Sequence, residues 1–332
     1  MRLLILGGTS FLGRHLTEQA LDRGFDVTLF NRGQTNPGLY AGATEIHGDR
    51  KKDLSELDGL SFDSVIDPSG YLPRDVEAAA TFLKPNVPHY VFISSVSAYE
   101  DPGAPNIDEE SAAFPYNPAL ESETEMTPEI YGPLKAECER RATAIYGDDA
   151  LIIRPGLIVG RYDKTGRFSY WLQRIRQGGD VATPDVPDAP VQFLDAHDLA
   201  AWTLDLCERK TGGTINAIGP AAPMNFHELM QALKPTAPPG TKLVAIEEGF
   251  LLDQGIDPWV EMPLWIPAKE NMEGFMKVKT DRMLANGMKI RPLAETVADI
   301  LDEIDANGTF LAGASMIAET EEKLLAAWKA KA

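Results

Sequence analysis

The stretch LLILGGTSFLG, residues 3–13, decides the fold, because an apolar run there breaks into a glycine-rich turn just before a helical pattern. Gly7, Ser10 and Gly13 stand where a GxxGxxG turn needs small residues between a strand and a helix. Such a turn brings backbone close to a pyrophosphate, and the helix start supplies N–H donors and the positive end of the peptide dipoles. Serine at the middle position adds a Cβ where close approach is wanted, yet its hydroxyl can donate to phosphate. On its own the stretch also reads as a plain strand followed by a loop, so the decision rests on the rest of the chain.

Working outward, short β-type runs alternate with amphipathic helical patterns. Strands are expected at 2–6, 27–30, 44–47, 64–67, 90–94 and 151–154, and helices at 11–22, 74–83 and 130–146, ended by Gly24, Pro85 and Gly147. Strand, helix, strand at this spacing predicts an α/β fold: a doubly wound parallel Rossmann sheet with helices on both faces and a smaller C-terminal lobe. Residues 1–155, with a return at about 191–220, are assigned to the dinucleotide-binding domain; 156–190 and 221–332 form the lobe and a C-terminal helix. Residues 100–129, acidic and proline-rich, are expected as a long exposed loop. Asp198 is expected to cap a helix, and Trp171, Trp259 and Trp265 to fill the core of the lobe.

Composition narrows the class. Thirty-one basic against fifty acidic side chains give a net charge of −19, which repels nucleic-acid phosphate and anionic membrane at long range. The two cysteines, Cys138 and Cys207, lack metal-ligand spacing, and the five histidines are scattered, so neither a disulfide framework nor a metal site is expected. With a core strand starting at Arg2 and no apolar run near the ~18 residues of a membrane helix, the reading expects no signal or transit peptide and a cytoplasmic protein.

Three further features fall in the order a nicotinamide site requires. After the second strand, Asn31 stands where a site preferring NAD would carry a carboxylate for the ribose 2′-OH, and Arg32 beside it suits the 2′-phosphate of NADP. After the third strand, Asp49 is a candidate acceptor for the adenine amino group, although Asp is common in turns for backbone reasons. Tyr131 and Lys135 are at i and i+4 on a predicted helix, so both side chains share a face. An ammonium beside a phenol favours the phenolate, which brings Tyr131 toward acid/base work at neutral pH.

On these residues the chain resembles the extended branch of the short-chain dehydrogenase/reductase superfamily, which includes nucleotide-sugar epimerases and dehydratases. The resemblance runs from Met1 to about Gly219. It implies that Ser95 hydrogen-bonds the substrate oxygen, that Tyr131 is the acid/base, and that Lys135 binds the nicotinamide ribose and tunes the tyrosine. The cofactor would also be lined by Gly7, Thr9, Ser10, Phe11, Leu12, Gly13, Asn31, Arg32, Asp49, Ser94 and Pro155, and the substrate by Ser95, Ser97, Arg161 and Arg167 in the lobe. The basic segment holding Arg161 and Arg167 has two readings: an anion pocket for a phosphorylated substrate, or a solvated, locally balanced surface. Two departures stand out: Ser10 replaces the usual glycine, and VIDPSGY, residues 65–71, replaces the usual end of the fourth strand. Val96 and Ser97 follow the serine where sugar 4,6-dehydratases carry Asp-Glu, which disfavours that reaction.

The expected activity is hydride transfer between NADP(H), alternatively NAD(H), and a carbonyl or hydroxyl of a small molecule, a sugar or nucleotide sugar being one option, in a homodimer paired through the Tyr/Lys helix. One alternative is a redox-neutral epimerase that retains its cofactor. Another is a non-catalytic NADP- or RNA-binding protein, since the family includes NADP sensors and chloroplast stem-loop RNA-binding proteins with a GGTxF turn. Intact Ser95, Tyr131 and Lys135 argue against a sensor, and the net charge of −19 argues against RNA.

Overall fold

The computed structural model describes residues 1–220, 222–307 and 313–331. Six strands of the first half, β1 (Arg2–Leu6), β2 (Asp26–Asn31), β3 (Thr44–His47), β4 (Ser64–Asp67), β5 (Tyr90–Ile93) and β6 (Ala150–Pro155), join Gly213–Ala217 in one seven-stranded sheet. The order across it is Gly213–Ala217, β6, β5, β4, β1, β2, β3, and every pairing is parallel. Parallel neighbours need crossovers, and helices on both faces provide them. On the sheet lie α1 (Leu12–Asp22), α2 (Pro73–Leu83), α3 (Tyr131–Tyr146) and α5 (Ala196–Arg209), while α4 (Ser169–Gln177) lies off it.

Side-chain alternation sorts the two faces. Leu3 and Ile5 of β1 pack with Leu16 of α1 and Leu199 of α5, whereas Leu4 and Leu6 pack with Val76 of α2 and Ala142 of α3. The strand order reverses at β1, so the C-terminal ends of β1 and β4 diverge and leave a crevice where α/β sheets bind ligands.

A second core forms after Pro155, around Trp171, Phe226, Leu229 and Trp265, with α4 and the parallel ladder Asp180–Pro184/Lys242–Ile246. Each buried indole finds an acceptor: Trp171 Nε1 donates to the Pro263 carbonyl at 2.9 Å and Trp265 Nε1 to Glu248 at 3.1 Å. Among the described residues, no helix is long and apolar enough to cross a membrane, and no group of three or more His, Cys, Asp or Glu is placed to hold a metal.

Four expectations change. Asp195, not Asp198, caps α5 by accepting the His197 N–H at 2.8 Å; Asp198 sits in the first turn and accepts the Arg291 N–H at 2.8 Å. Trp259 is half-buried, beneath the Arg167 guanidinium at 5.5 Å, while Trp171 and Trp265 are core. The acidic segment is not wholly exposed, because Ile107 and Leu120 are buried, Leu120 against Leu72 and Leu134. The basic segment is a solvated face only in part: Arg161 and Lys164 are exposed, whereas Arg154 pairs with buried Glu139 and Arg174 with buried Glu321.

Candidate active site

A cavity of about 560 Å³ opens at the C-terminal ends of the central strands. Its floor is the glycine turn, whose shape depends on two close approaches. Gly8 sits at φ 94°, where a Cβ would lie 2.6 Å from Leu29 Cδ2. Gly13 lets α1 come down on the turn, since a Cβ there would meet the Gly8 Cα at 3.0 Å. No side chain caps α1, whose first two residues, Leu12 and Gly13, line the cavity. This floor fits a pyrophosphate. Gly8 is also the residue that the GxxGxxG spacing passes over, although it is plain in the sequence beside Gly7.

Gly7, Thr9, Ser10, Phe11, Leu12 and Gly13 line this cavity, as do Asn31, Arg32, Asp49, Ser94, Ser95, Tyr131, Lys135 and Pro155. Residues from turns far apart in sequence thus meet because their strands end side by side. Asn31 is tied down: its amide donates to Glu45 at 2.9 Å and its oxygen accepts the Gly33 N–H at 2.7 Å. Arg32 is exposed at the rim. Ser97, Arg161 and Arg167 lie off the cavity wall. The Ser97 N–H donates to Ser95 Oγ at 3.1 Å, and the Ser97 carbonyl packs so closely on α3 that a Cβ at Gly132 would lie 2.2 Å from it. Arg161 is exposed, its guanidinium 5.2 Å from the Tyr162 ring. Arg167 is half-buried, with a buried Nε that has no hydrogen-bond partner.

The electrostatics of Tyr131 and Lys135 differ from the expectation. Burial pushes the Tyr131 phenol up to about 12, with Tyr71 and Cys138 adding to the rise; the Ser95 hydroxyl and Arg167 act the other way. Lys135 Nζ itself donates to two backbone carbonyls, Gly70 O and Ile93 O, each at 2.8 Å. Burial draws Lys135 down to about 8, against the pull of Cys138, Asp67 and Glu139.

Beneath this pair lies a network that spacing alone does not reveal. Arg50 and Asp67 form a bidentate ion pair, one arm at 2.7 Å, and Tyr90 Oη donates to Asp67 at 2.7 Å. Burial would raise Asp67, but Arg50 holds its carboxyl below the usual range. The unusual VIDPSGY segment thus supplies a buried counter-ion, and Ser69, which donates to Leu6 O at 2.6 Å, ties it to β1.

No family model matches the chain. A chloroplast stem-loop binding protein of 41 kDa (form b) from Arabidopsis thaliana is 31 % identical over 221 residues, which cover 62 % of this chain and 54 % of that protein. The chain therefore spans about half the length of this curated relative. Among solved structures, the enzyme WbmH of Bordetella bronchiseptica in complex with NAD+ superposes with a TM-score of 0.65 at 20 % identity, covering 93 % of this chain and 99 % of that one. The UDP-Glc/GlcNAc 4-epimerase of Campylobacter jejuni superposes at 0.66 and 14 % identity, covering 92 % and 99 %. The chain has the fold of the extended short-chain dehydrogenases/reductases. Likeness to this fold runs through the second core as well, beyond the Met1 to Gly219 span on which the sequence resemblance rests.

Proposed function

We propose that this chain is a nicotinamide-dependent enzyme that transfers hydride to or from a carbonyl or hydroxyl carbon of a small molecule, with NADP(H) preferred. The observation that carries the reading is the convergence of Ser95, Tyr131 and Lys135 on one cavity with the glycine turn, at the point where the sheet order reverses. The nicotinamide, when bound, supplies the hydride chemistry.

The chain's own residues do the rest. The turn from Gly7 to Gly13 and the open start of α1 hold the diphosphate, and Arg32, with no carboxylate at the end of β2, suits a 2′-phosphate. Lys135 keeps a donor beyond its two carbonyls and faces the cavity. With its phenol near 12, Tyr131 holds its proton at neutral pH and is poised to donate it to a carbonyl oxygen steadied by Ser95. Arg167, which acts on the Tyr131 phenol, and Arg161, both with guanidinium groups that make no hydrogen bond or ion pair among the described residues, would receive an anionic substrate such as a nucleotide sugar. Ser97 and the residues 156–190 and 221–332 complete the substrate side, and a homodimer through α3 is part of the proposal.

Calorimetry with NADPH and NADH, followed by assay against a panel of nucleotide sugars, tests the reading; uptake of neither coenzyme removes it. The epimerase structures favour a second reading, in which the cofactor is retained for a redox-neutral cycle. Nicotinamide absorbance that survives desalting supports that cycle, and free exchange with net NADPH consumption supports the reductase. The stem-loop binding relative favours a third, RNA binding, and salt-sensitive RNA retention at physiological ionic strength is its signature.

A further inference from the structure

The Lys135 ammonium lies within a row of buried charges built from four separate segments. On one side stands Asp67 at the end of β4, paired with Arg50 from the turn after β3. On the other stands Glu139, one turn further along α3, bonded to Arg154 of β6 at 2.9 and 2.6 Å. Asp67 is fully buried, and Lys135, Glu139 and Arg154 are nearly so. Each carboxylate also grips a residue adjoining the carbonyls that hold the lysine. Asp67 accepts the Ser69 N–H at 3.2 Å, next to the Gly70 whose carbonyl takes Nζ, and Glu139 accepts the Ser94 hydroxyl, next to the Ile93 whose carbonyl takes Nζ. Gly70 has no room to shift, since a Cβ there would meet Val76 at 2.6 Å and Phe92 at 2.7 Å.

We propose that Asp67 and Glu139 are positioning residues which, each held by its own arginine, clamp the ends of β4 and β5 on Lys135 and set the charge it presents to the cavity. Sign alternates along the row: arginine, carboxylate, ammonium, carboxylate, arginine. Neutralising a carboxylate leaves its arginine unopposed beside the ammonium and disfavours the proton; neutralising an arginine does the reverse. Cys138, Tyr71 and Tyr131 also face this lysine and are untouched by these changes. The inference rests on the enzymatic reading for its purpose, but its physical content can be measured without a cofactor.

The test is the titration midpoint of Lys135 in lysine-labelled protein followed by NMR, with the signal assigned by its loss in Lys135→Met. Asp67→Asn and Glu139→Gln should lower the midpoint, and Arg50→Met and Arg154→Met should raise it, each by about one pH unit or more. Should one pair fail to fold, the other carries the same comparison. Midpoints that stay put or move the same way in all variants overturn the proposal, as does unfolding of all four, which would make the residues structural supports alone. NADPH binding to the unaltered protein is scored separately: opposed midpoint shifts without coenzyme uptake would leave the clamp standing and remove the enzymatic reading.

Discussion

Tyr131 is a half-buried phenol whose proton is held tightly, so removing only its hydroxyl is the sharpest test at the residue scale. Tyr131→Phe should cut turnover by roughly two to four orders of magnitude while leaving coenzyme affinity nearly unchanged; undiminished turnover refutes its role. Arg32→Gln should weaken NADPH binding about tenfold or more and spare NADH, because only the 2′-phosphate needs the guanidinium. Isothermal titration of both coenzymes decides this. At Asp67 the folded carboxyl titrates below its ordinary value, so its stabilisation is complete above about pH 4 and is lost as pH falls through the lowered folded value. Asp67→Asn should therefore flatten the acid limb of the stability curve measured by urea unfolding. At this scale the candidate site was partly legible, since Gly7, Gly13, Tyr131 and Lys135 stand out by local spacing and Ser95 by resemblance, and all five line one cavity. Arg50, Asp67, Glu139 and Arg154 do not, because they meet only when β3, β4, α3 and β6 lie side by side. The same limit misdirected the phenol: a shared helical face says that two groups are neighbours, not how far burial will raise the phenol.

At the scale of elements, strand and helix positions followed from alternation and from glycine and proline stops, and β1, β3 and β4 match the expected limits. The cap of α5 did not follow, since Asp195 and Asp198 both suit a helix start and only the Arg291 backbone, arriving from far along the chain, decides between them. Asp195→Ala should cost about 1 kcal/mol through the lost cap, plus the loss of its bonds to Thr296 and Arg291. Asp198→Ala should leave the cap intact and loosen its contacts with Arg291 and the His197 ring. Thermal denaturation of the two variants checks the ranking, and a larger loss for Asp198→Ala contradicts the capping assignment.

Across the whole molecule, the charge of −19 opposes an anionic coenzyme, while Arg32 and Lys51 form a local cationic rim on the cavity. Raising salt from about 10 to about 150 mM shortens the screening length from about 30 to about 8 Å. Long-range repulsion is then screened more than short-range attraction, and NADPH association in stopped-flow experiments should quicken. A slower association would mean that the rim already dominates at a distance. Threading between the two cores has a different consequence. The chain leaves the sheet after Pro155 to lay down α4, comes back through α5 to Gly213–Ala217, and departs again for Phe226–Leu233 and Lys242–Ile246. A protease that severs one surface bond therefore liberates no freestanding fragment: the nicked molecule keeps its native mass on a sizing column and comes apart only in denaturant.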